Sequence, residues 1–218
     1  MKTYTDFFFD FDGTIMDTSE GIFNAFDYAL SYFGKELPGH DFYDRCIGPP
    51  LAYSFENFFG FSKEMACGEC IKKYREYYTP KGLYEVKIYP GIEQVLKILH
   101  DDGCGVYLAT SKPEYLALTL LKKYNLLQYF TFCGGADESE TRADKVQVID
   151  YVIESCSLQG KKDKILMIGD RKYDILGAGK RGIDAIGVLW GFGSREEFTD
   201  CNAYGIIESP EEILLFKE

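Results

Sequence analysis

Phe7-Phe8-Phe9-Asp10-Phe11-Asp12-Gly13-Thr14 is an apolar run that ends in two carboxylates and a glycine. Continuous rather than alternating hydrophobicity is what a parallel sheet covered on both faces demands of its strands. On a continuing strand Asp10 and Asp12 would point to one face, and Gly13 lets the chain turn at once. In an open α/β sheet the carboxyl ends of the strands are where ligands bind. Two like charges held close are costly unless a cation shares their site. On this segment alone a plain Asp12-Gly13 turn, with Asp10 at an edge, explains the residues too.

Further short apolar runs repeat the pattern: Val106–Ala109, Tyr129–Phe132, Ile165–Ile168, Ala185–Leu189 and Gly205–Ile207. Helical stripes lie between them. Ile92, Val95, Leu96 and Leu99 follow Pro90-Gly91; Leu116, Leu120, Leu121 and Tyr124 follow Pro113; Val146, Ile149, Val152 and Ile153 form a third. Strand alternating with helix predicts an α/β fold, a doubly wound parallel sheet with a Rossmann-like core. One interval breaks the rhythm. From Asp10 to Gly105 the chain is far longer than the roughly 30 residues of a strand–helix–strand unit. The expectation is a catalytic core of residues 1–16 and 88–218, with an inserted α-helical cap domain at 17–87. Within the insertion Ile22, Phe26, Ala29 and Phe33 share one helical face, and Met65 to Tyr78 is broken only by Gly68. Of the 35 aromatic residues, 17 fall between Phe23 and Tyr89, either to fill a small helical core or to stack on a nucleobase.

Lys and Arg number 24 against 35 Asp and Glu, a formal charge of −11. That balance argues against binding nucleic-acid polymers, which rests on neutralising phosphates, and against an anionic membrane surface. No apolar stretch approaches the ~18 residues of a membrane helix. Three Asp among the first twelve residues exclude a secretory h-region. Seven scattered cysteines suggest reduced thiols, and a cytoplasmic protein is expected. Cys67 and Cys70 form a lone CxxC, too few ligands for zinc. Nothing in the sequence decides between a monomer and a homodimer.

The chemistry-bearing residues recur at strand ends. Gly169-Asp170-Arg171-Lys172-Tyr173-Asp174 supplies a second acidic pair, four apart and so on one side of a first helical turn. Helix capping by Asp170 is the plainer reading. Taken with Asp10 and Asp12, the pairs describe a hard-cation site. Asp10 and Asp170 would bind Mg²⁺ directly, with the Asp12 carbonyl and waters completing an octahedron. Thr110-Ser111-Lys112-Pro113 ends the second strand with a hydroxyl and backbone amides, either an anion site or a simple N-cap. Lys145 opens a helix after the third strand.

In this order the residues resemble the haloacid dehalogenase-like superfamily, in its phosphatase branch. Asp10 to Thr14 matches the DxDGT signature, Thr110-Ser111 the hydroxyl motif, Lys145 the lysine motif and Gly169-Asp170-x-x-x-Asp174 the acidic motif. One departure is visible: many relatives have Lys-Pro at the third motif, whereas Val146 follows Lys145 here, and Arg142 is a rival cation. The resemblance implies that Asp10 attacks phosphorus to form an aspartyl-phosphate and that Asp12 protonates the leaving group, then activates water. It implies Mg²⁺ on Asp10, Asp12 and Asp170. It implies phosphate binding by Gly13, Thr14, Thr110, Ser111 and Lys145, with Asp174 orienting Lys145 or a metal-bound water. Dehalogenase relatives lack the second Asp, so Asp12 argues against halide chemistry.

The resemblance also implies a small phosphorylated metabolite as the substrate class. The Ile47-Gly48-Pro49-Pro50-Leu51 loop, with Gly187–Gly193, is similar to proteins grouped as 5′-nucleotidase-like or phosphoglycolate-phosphatase-like. Arg45 could meet a second anionic group, and Gly48 and Pro49 stiffen its loop, though an ordinary interhelical loop would look the same. A phosphomutase of the β-phosphoglucomutase type is the nearest rival. A dinucleotide oxidoreductase would need GxGxxG where DFDGT stands. A non-catalytic phosphate-binding module would be expected to have lost a carboxylate, and all four are present.

Overall fold

The computed structural model describes residues 2–137 and 141–218, and the chain divides into two compact units, Met1–Met16 with Ile88–Glu218, and Asp17–Lys87. In chain order the strands are β1 (Asp6–Phe9), β2 (Met16–Asp17), β3 (Lys87–Ile88), β4 (Gly105–Pro113), β5 (Phe132–Ala136), β6 (Ile165–Gly169), β7 (Asp184–Val188) and β8 (Gly205–Ile207). The helices are α1 (Ser19–Tyr32), α2 (His40–Tyr43), α3 (Leu51–Asn57), α4 (Lys63–Met65), α5 (Ile71–Tyr78), α6 (Ile92–Asp101), α7 (Glu114–Lys123), α8 (Lys145–Ser155), α9 (Lys172–Gly179) and α10 (Arg195–Asp200).

Six strands make one parallel sheet in the order β5-β4-β1-β6-β7-β8. Its register sets Phe7 beside Val106 and Leu166, and Phe9 beside Leu108 and Ile168. Sequence order therefore reverses between β1 and β6, the switch point at which doubly wound sheets open a crevice beyond the strand ends. The three phenylalanines of β1 are fully buried. Phe8 faces Val148, Ile149 and Val152 of α8 and Ala178 of α9. Period-2 alternation sends Phe7 and Phe9 to the opposite face, and α6 and α7 pack on the sheet as well.

Two strands depart from the sequence reading. The run Tyr129–Phe132 is not a strand: Leu127–Tyr129 is a 3₁₀ turn, and β5 begins at Phe132. The strand runs through Gly134 and Gly135, residues that a strand interior usually disfavours. Their lack of a side chain is required. A Cβ on Gly134 would lie 2.5 Å from Val152 Cγ2, and one on Gly135 would lie 2.7 Å from Glu114 Cα. The second strand, β4, does not stop at Ala109. It stays extended to Pro113, with a register shift against β5 between Ala109 and Pro113.

The second unit is helical. Ile22, Phe26 and Ala29 are buried on one face of α1. Phe26 stacks on Tyr43 at 5.6 Å and meets Tyr74 edge-on at 5.0 Å. Phe55 joins them at 5.2 Å. These rings form the unit's core, with Tyr43 Oη donating to Asp27 Oδ1 at 2.5 Å. Tyr28, Tyr32, Tyr53 and Tyr84 are the exposed aromatics of this unit. From Lys63 to Tyr78 the helix is continuous but passes through a π-helical turn, Ala66–Cys70, which contains Gly68 and both residues of the CxxC.

Candidate active site

Asp10 lies one residue beyond β1, and its amide extends the ladder by donating to Ile168 O at 2.9 Å. Asp170 lies one residue beyond β6. The switch point thus brings together two acids that are 160 positions apart in sequence. Gly13 then turns the chain at φ +80°, and a Cβ there would fall 2.1 Å from Asp170 Oδ2. No other residue lets the DxDGT turn approach Asp170 this closely.

Lys145 is the first residue of α8, whose start is fixed by a capping box. The Gln147 amide donates to Asp144 Oδ1 at 2.9 Å, and the Asp144 amide donates to Gln147 Oε1 at 3.2 Å. From there the Lys145 side chain, 5% exposed, reaches Asp10 Oδ1 at 2.7 Å and Asp174 Oδ1 at 2.8 Å. It also donates to Ala109 O at 2.9 Å. Burial alone would lower the lysine pKa; attraction to Asp10 and then Asp174 overrides it and holds the ammonium above its usual range. Asp174 Oδ2 accepts the Arg171 amide at 3.1 Å. Burial raises the Asp174 carboxyl to about 6, against the pull of Lys145.

Asp170 is fully buried. Its Oδ2 accepts the Phe192 amide at 2.9 Å, and Thr14 Oγ1 lies 3.4 Å from its Oδ1. Burial, reinforced by Asp10 and Asp174, pushes its pKa well up. Carboxylate oxygens of Asp10, Asp170 and Asp174 all lie within 4.8 Å of one another. Asp10 Oδ1 and Asp174 Oδ1 are buried and take no aligned hydrogen bond beyond the Lys145 ion pairs. Such an all-oxygen donor set, short of positive charge, fits a hard divalent cation.

Thr110 is buried, and its Oγ1 accepts the Lys112 amide at 3.2 Å. Ser111 is half-buried beside it on an extended backbone, three residues before α7 rather than at a helix start. The Thr14 carbonyl accepts Trp190 Nε1 at 3.1 Å, so this residue is fixed from both its hydroxyl and its backbone. Among the described residues Arg142 contacts a different group of partners from Lys145. Its Nε donates to Gly135 O at 2.7 Å, its guanidinium pairs with Glu114 at 3.2 Å and lies 3.5 Å over the Tyr151 ring. In the helical unit Arg45 is exposed and sits 4.2 Å over Phe42; Gly48 has φ +103°, and Pro49 is half-buried.

Two features escape a reading of the sequence alone. Lys112 pairs with Asp12 Oδ1 at 2.9 Å across a separation of 100 residues. Trp190-Gly191-Phe192-Gly193 folds over Asp170: a Cβ on Gly191 would lie 2.3 Å from both Asp170 Cβ and Gly13 O, and one on Gly193 would lie 2.1 Å from Asp170 O. A signal existed in each case. A lysine follows two hydroxyl residues at a strand end, and two glycines flank a phenylalanine after β7.

The sequence matches the family described as haloacid dehalogenase-like hydrolase over residues 7–188. A 5′-nucleotidase of Pseudomonas aeruginosa is 36% identical over 194 residues, covering 89% of this chain and 86% of that protein. A phosphoglycolate phosphatase of Vibrio parahaemolyticus is 26% identical over 94% of this chain and 92% of its own. The crystal structure of a predicted phosphatase from Clostridium acetobutylicum superposes with a TM-score of 0.91 at 37% identity, covering 97% of each chain. Among the described residues no helix is long and apolar enough to cross a membrane. The chain belongs to the haloacid dehalogenase-like hydrolase family, as one of its phosphatases.

Proposed function

We propose that this phosphatase hydrolyses a small phosphomonoester through an aspartyl-phosphate on Asp10, and that a nucleoside monophosphate is the first substrate class to test. The observation that carries the reading is the charge inventory of the cluster. Asp10, Asp12, Asp170 and Asp174 are four carboxylates, and among the described residues Lys112 and Lys145 are the two ammonium groups paired with them. Two negative charges remain, the deficit that one divalent cation fills. Asp10, Asp170 and the Asp12 carbonyl would hold Mg²⁺, which supplies charge neutralisation between the attacking carboxylate and the phosphate.

Asp10 attacks phosphorus with one carboxylate oxygen while Lys145 holds the other. Asp12 gives a proton to the departing oxygen and later takes one from the attacking water. Thr110, the Ser111 amide and Lys145 are the donors for the equatorial oxygens, with Gly13 and Thr14 shaping the turn beside them. Asp174 keeps Lys145 aimed at Asp10. The helical unit 17–87 is read as a cap, and Arg45, Gly48 and Pro49 as its specificity loop. Support for nucleotides comes from the similarity to a 5′-nucleotidase; phosphoglycolate is second, from the more distant phosphoglycolate phosphatase.

The test is release of inorganic phosphate from nucleoside monophosphates, sugar phosphates and phosphoglycolate, with and without Mg²⁺. Release is expected to need Mg²⁺ and to fall to background in Asp10→Asn. A normal rate in Asp10→Asn, free of contaminating phosphatase, would sink the mechanism. Isomerisation of a sugar phosphate without phosphate release would point to a mutase instead.

A further inference from the structure

We propose that Lys112 is the positioning residue of Asp12, fixing the carboxylate that serves the leaving group. The inference rests on the role assigned to Asp12 above. It begins with β4, which remains extended beyond Thr110. Alternation along that backbone turns Thr110 and Lys112 inward and leaves Ser111 and Pro113 only half-buried. The Lys112 side chain is 3% exposed, an environment that a lysine occupies only with a charged partner. Asp12 is such a partner, with Oδ1 at 2.9 Å, and the ammonium lies 5.5 Å from the Phe11 ring centroid. A stem with four rotatable bonds is thereby confined.

The geometry separates two tasks. Lys145 pairs with Asp10 and Asp174, and Lys112 pairs with Asp12. Asp12 is 20% exposed, so it is anchored at one oxygen and open to a substrate. With Oδ1 accepting from Lys112, Oδ2 is left to exchange the proton. In the first step the Asp10–phosphorus bond forms, the bond to the leaving oxygen breaks, and that oxygen takes the Oδ2 proton. In the second, water attacks phosphorus, its proton goes to Oδ2, and the Asp10–phosphorus bond breaks. Lys112 keeps its own protons in both steps and fixes only the rotamer. Transfer geometry is unforgiving, so loosening Asp12 is costly whenever the leaving oxygen needs a proton.

That condition supplies the test. The value of kcat/KM reports steps up to departure of the leaving group. An alkyl phosphate such as a nucleoside 5′-monophosphate needs protonation there, whereas 4-nitrophenyl phosphate releases a stable phenolate. Lys112→Met is expected to lower kcat/KM for the alkyl phosphate by about 10- to 100-fold. For 4-nitrophenyl phosphate the fall should stay within about threefold. Asp12→Asn should show the same selectivity, and the double variant should be no worse than Asp12→Asn alone. Lys112→Arg, which keeps the charge, should show the same pattern at smaller amplitude and covers the case in which Lys112→Met fails to fold. Equal losses on both substrates, or losses that multiply in the double variant, would overturn the inference. If Asp12→Asn itself shows no selectivity, the assignment of Asp12 fails and the inference falls with it. Selectivity in Asp12→Asn but not in the Lys112 variants would overturn the inference alone.

Discussion

Replacing Asp170 by Asn tests the electrostatics of the cluster without any assumption about substrate. The two side chains have the same shape. The asparagine carbonyl can take the Phe192 amide that Asp170 Oδ2 accepts at 2.9 Å, while its NH₂ faces Thr14 Oγ1, now the acceptor. What changes is a fully buried charge whose neighbours Asp10 and Asp174 lie within 4.8 Å. At that distance and an effective dielectric of ~20, each like-charge pair costs about 3.5 kcal/mol. One lysine shared by the neighbours cancels roughly half of the total, and loss of charge weakens the Phe192 hydrogen bond by ~1 kcal/mol. The metal-free variant should therefore be the more stable protein by about 2 kcal/mol, or about 4–8 °C in Tm. The sign of the pH dependence follows from the same charges. Asp174 is raised from 3.8 to about 6 and Asp170 is raised as well, so between the ordinary and the raised values the native state binds more protons than the unfolded chain. Metal-free stability then falls as pH rises through that window, and Asp170→Asn flattens the fall. Adding Mg²⁺ at about 100 times its Kd should return ~2.7 kcal/mol to the wild type and almost nothing to the variant. Thermal melts in EDTA and in Mg²⁺, from pH 4.5 to 8, read all of this. A variant less stable than the wild type in EDTA would refute the repulsion argument; an equal Mg²⁺ shift in both proteins would remove Asp170 from the metal site.

The loop after β7 and the segment before α8 make two more expectations testable. Gly191→Ala would place a Cβ 2.3 Å from Asp170 Cβ and from Gly13 O, so Asp170 must move. Mg²⁺ affinity, read from the fluorescence of Trp190, the single tryptophan, should weaken by roughly tenfold or more while the fold survives; unchanged affinity would show that the loop carries no positioning role. Arg142→Leu strips Gly135 O and Glu114 of a partner far from Lys145 in function. Urea unfolding should show a loss of about 1–3 kcal/mol with kcat within a few-fold of the wild type. A kcat loss as deep as that of Lys145→Met would instead make Arg142 a phosphate ligand.

The fold is legible in the sequence where one physical demand dominates a segment. Burial on both faces makes β1 and β6 uniformly apolar, and the acids beyond them then stand out as residues that burial cannot explain. The parts that stayed hidden answer to two demands at once. Gly134 and Gly135 look like loop residues because a strand's own propensity disfavours them, yet α8 and the start of α7 press so close that a side chain has no room. The Thr110–Pro113 segment contains a proline and two hydroxyl residues, so it reads as a helix start; its extended form is set by pairing of Pro113 with Ala136 on β5. Lys112 is a surface residue by type, and only the neighbouring strands β4 and β1 disclose that Asp12 is within its reach. The aromatic richness of residues 23–89 was open to two readings. Phe26, Tyr43, Phe55 and Tyr74 resolve into a core, which leaves the exposed tyrosines and half-buried rings such as Phe42 and Phe58 for any stacking role.

The distribution of the lysines distinguishes these acids, as a candidate site, from a structural ion-pair network. A buried carboxylate cluster that its own cations neutralise completely is a closed structure, and hydrophobic residues could replace it with little loss. Here the neutralisation stops short. Lys145 is held between Asp10 and Asp174, and Lys112 is drawn to Asp12. Asp170 has no lysine in contact among the ion pairs of the described residues; it accepts from an amide and a distant hydroxyl, and the neighbouring Arg171, which pairs with Glu197, offsets its charge less than burial and the adjoining acids oppose it. The uncompensated charge is therefore concentrated on the acid that the Trp190–Gly193 loop and the Gly13 turn lock most tightly in place. A rigid, fully buried acid cannot turn away to relieve repulsion; without a cation it can only take up a proton, the tendency its raised pKa expresses, and a cation bound beside it would relieve the repulsion with the acid still ionised. Asp10, whose carboxylate lies within 4.8 Å of that of Asp170, would share in holding such a cation. The fold thus trades stability of the metal-free protein for a pre-organised electrostatic centre at the switch point of the sheet.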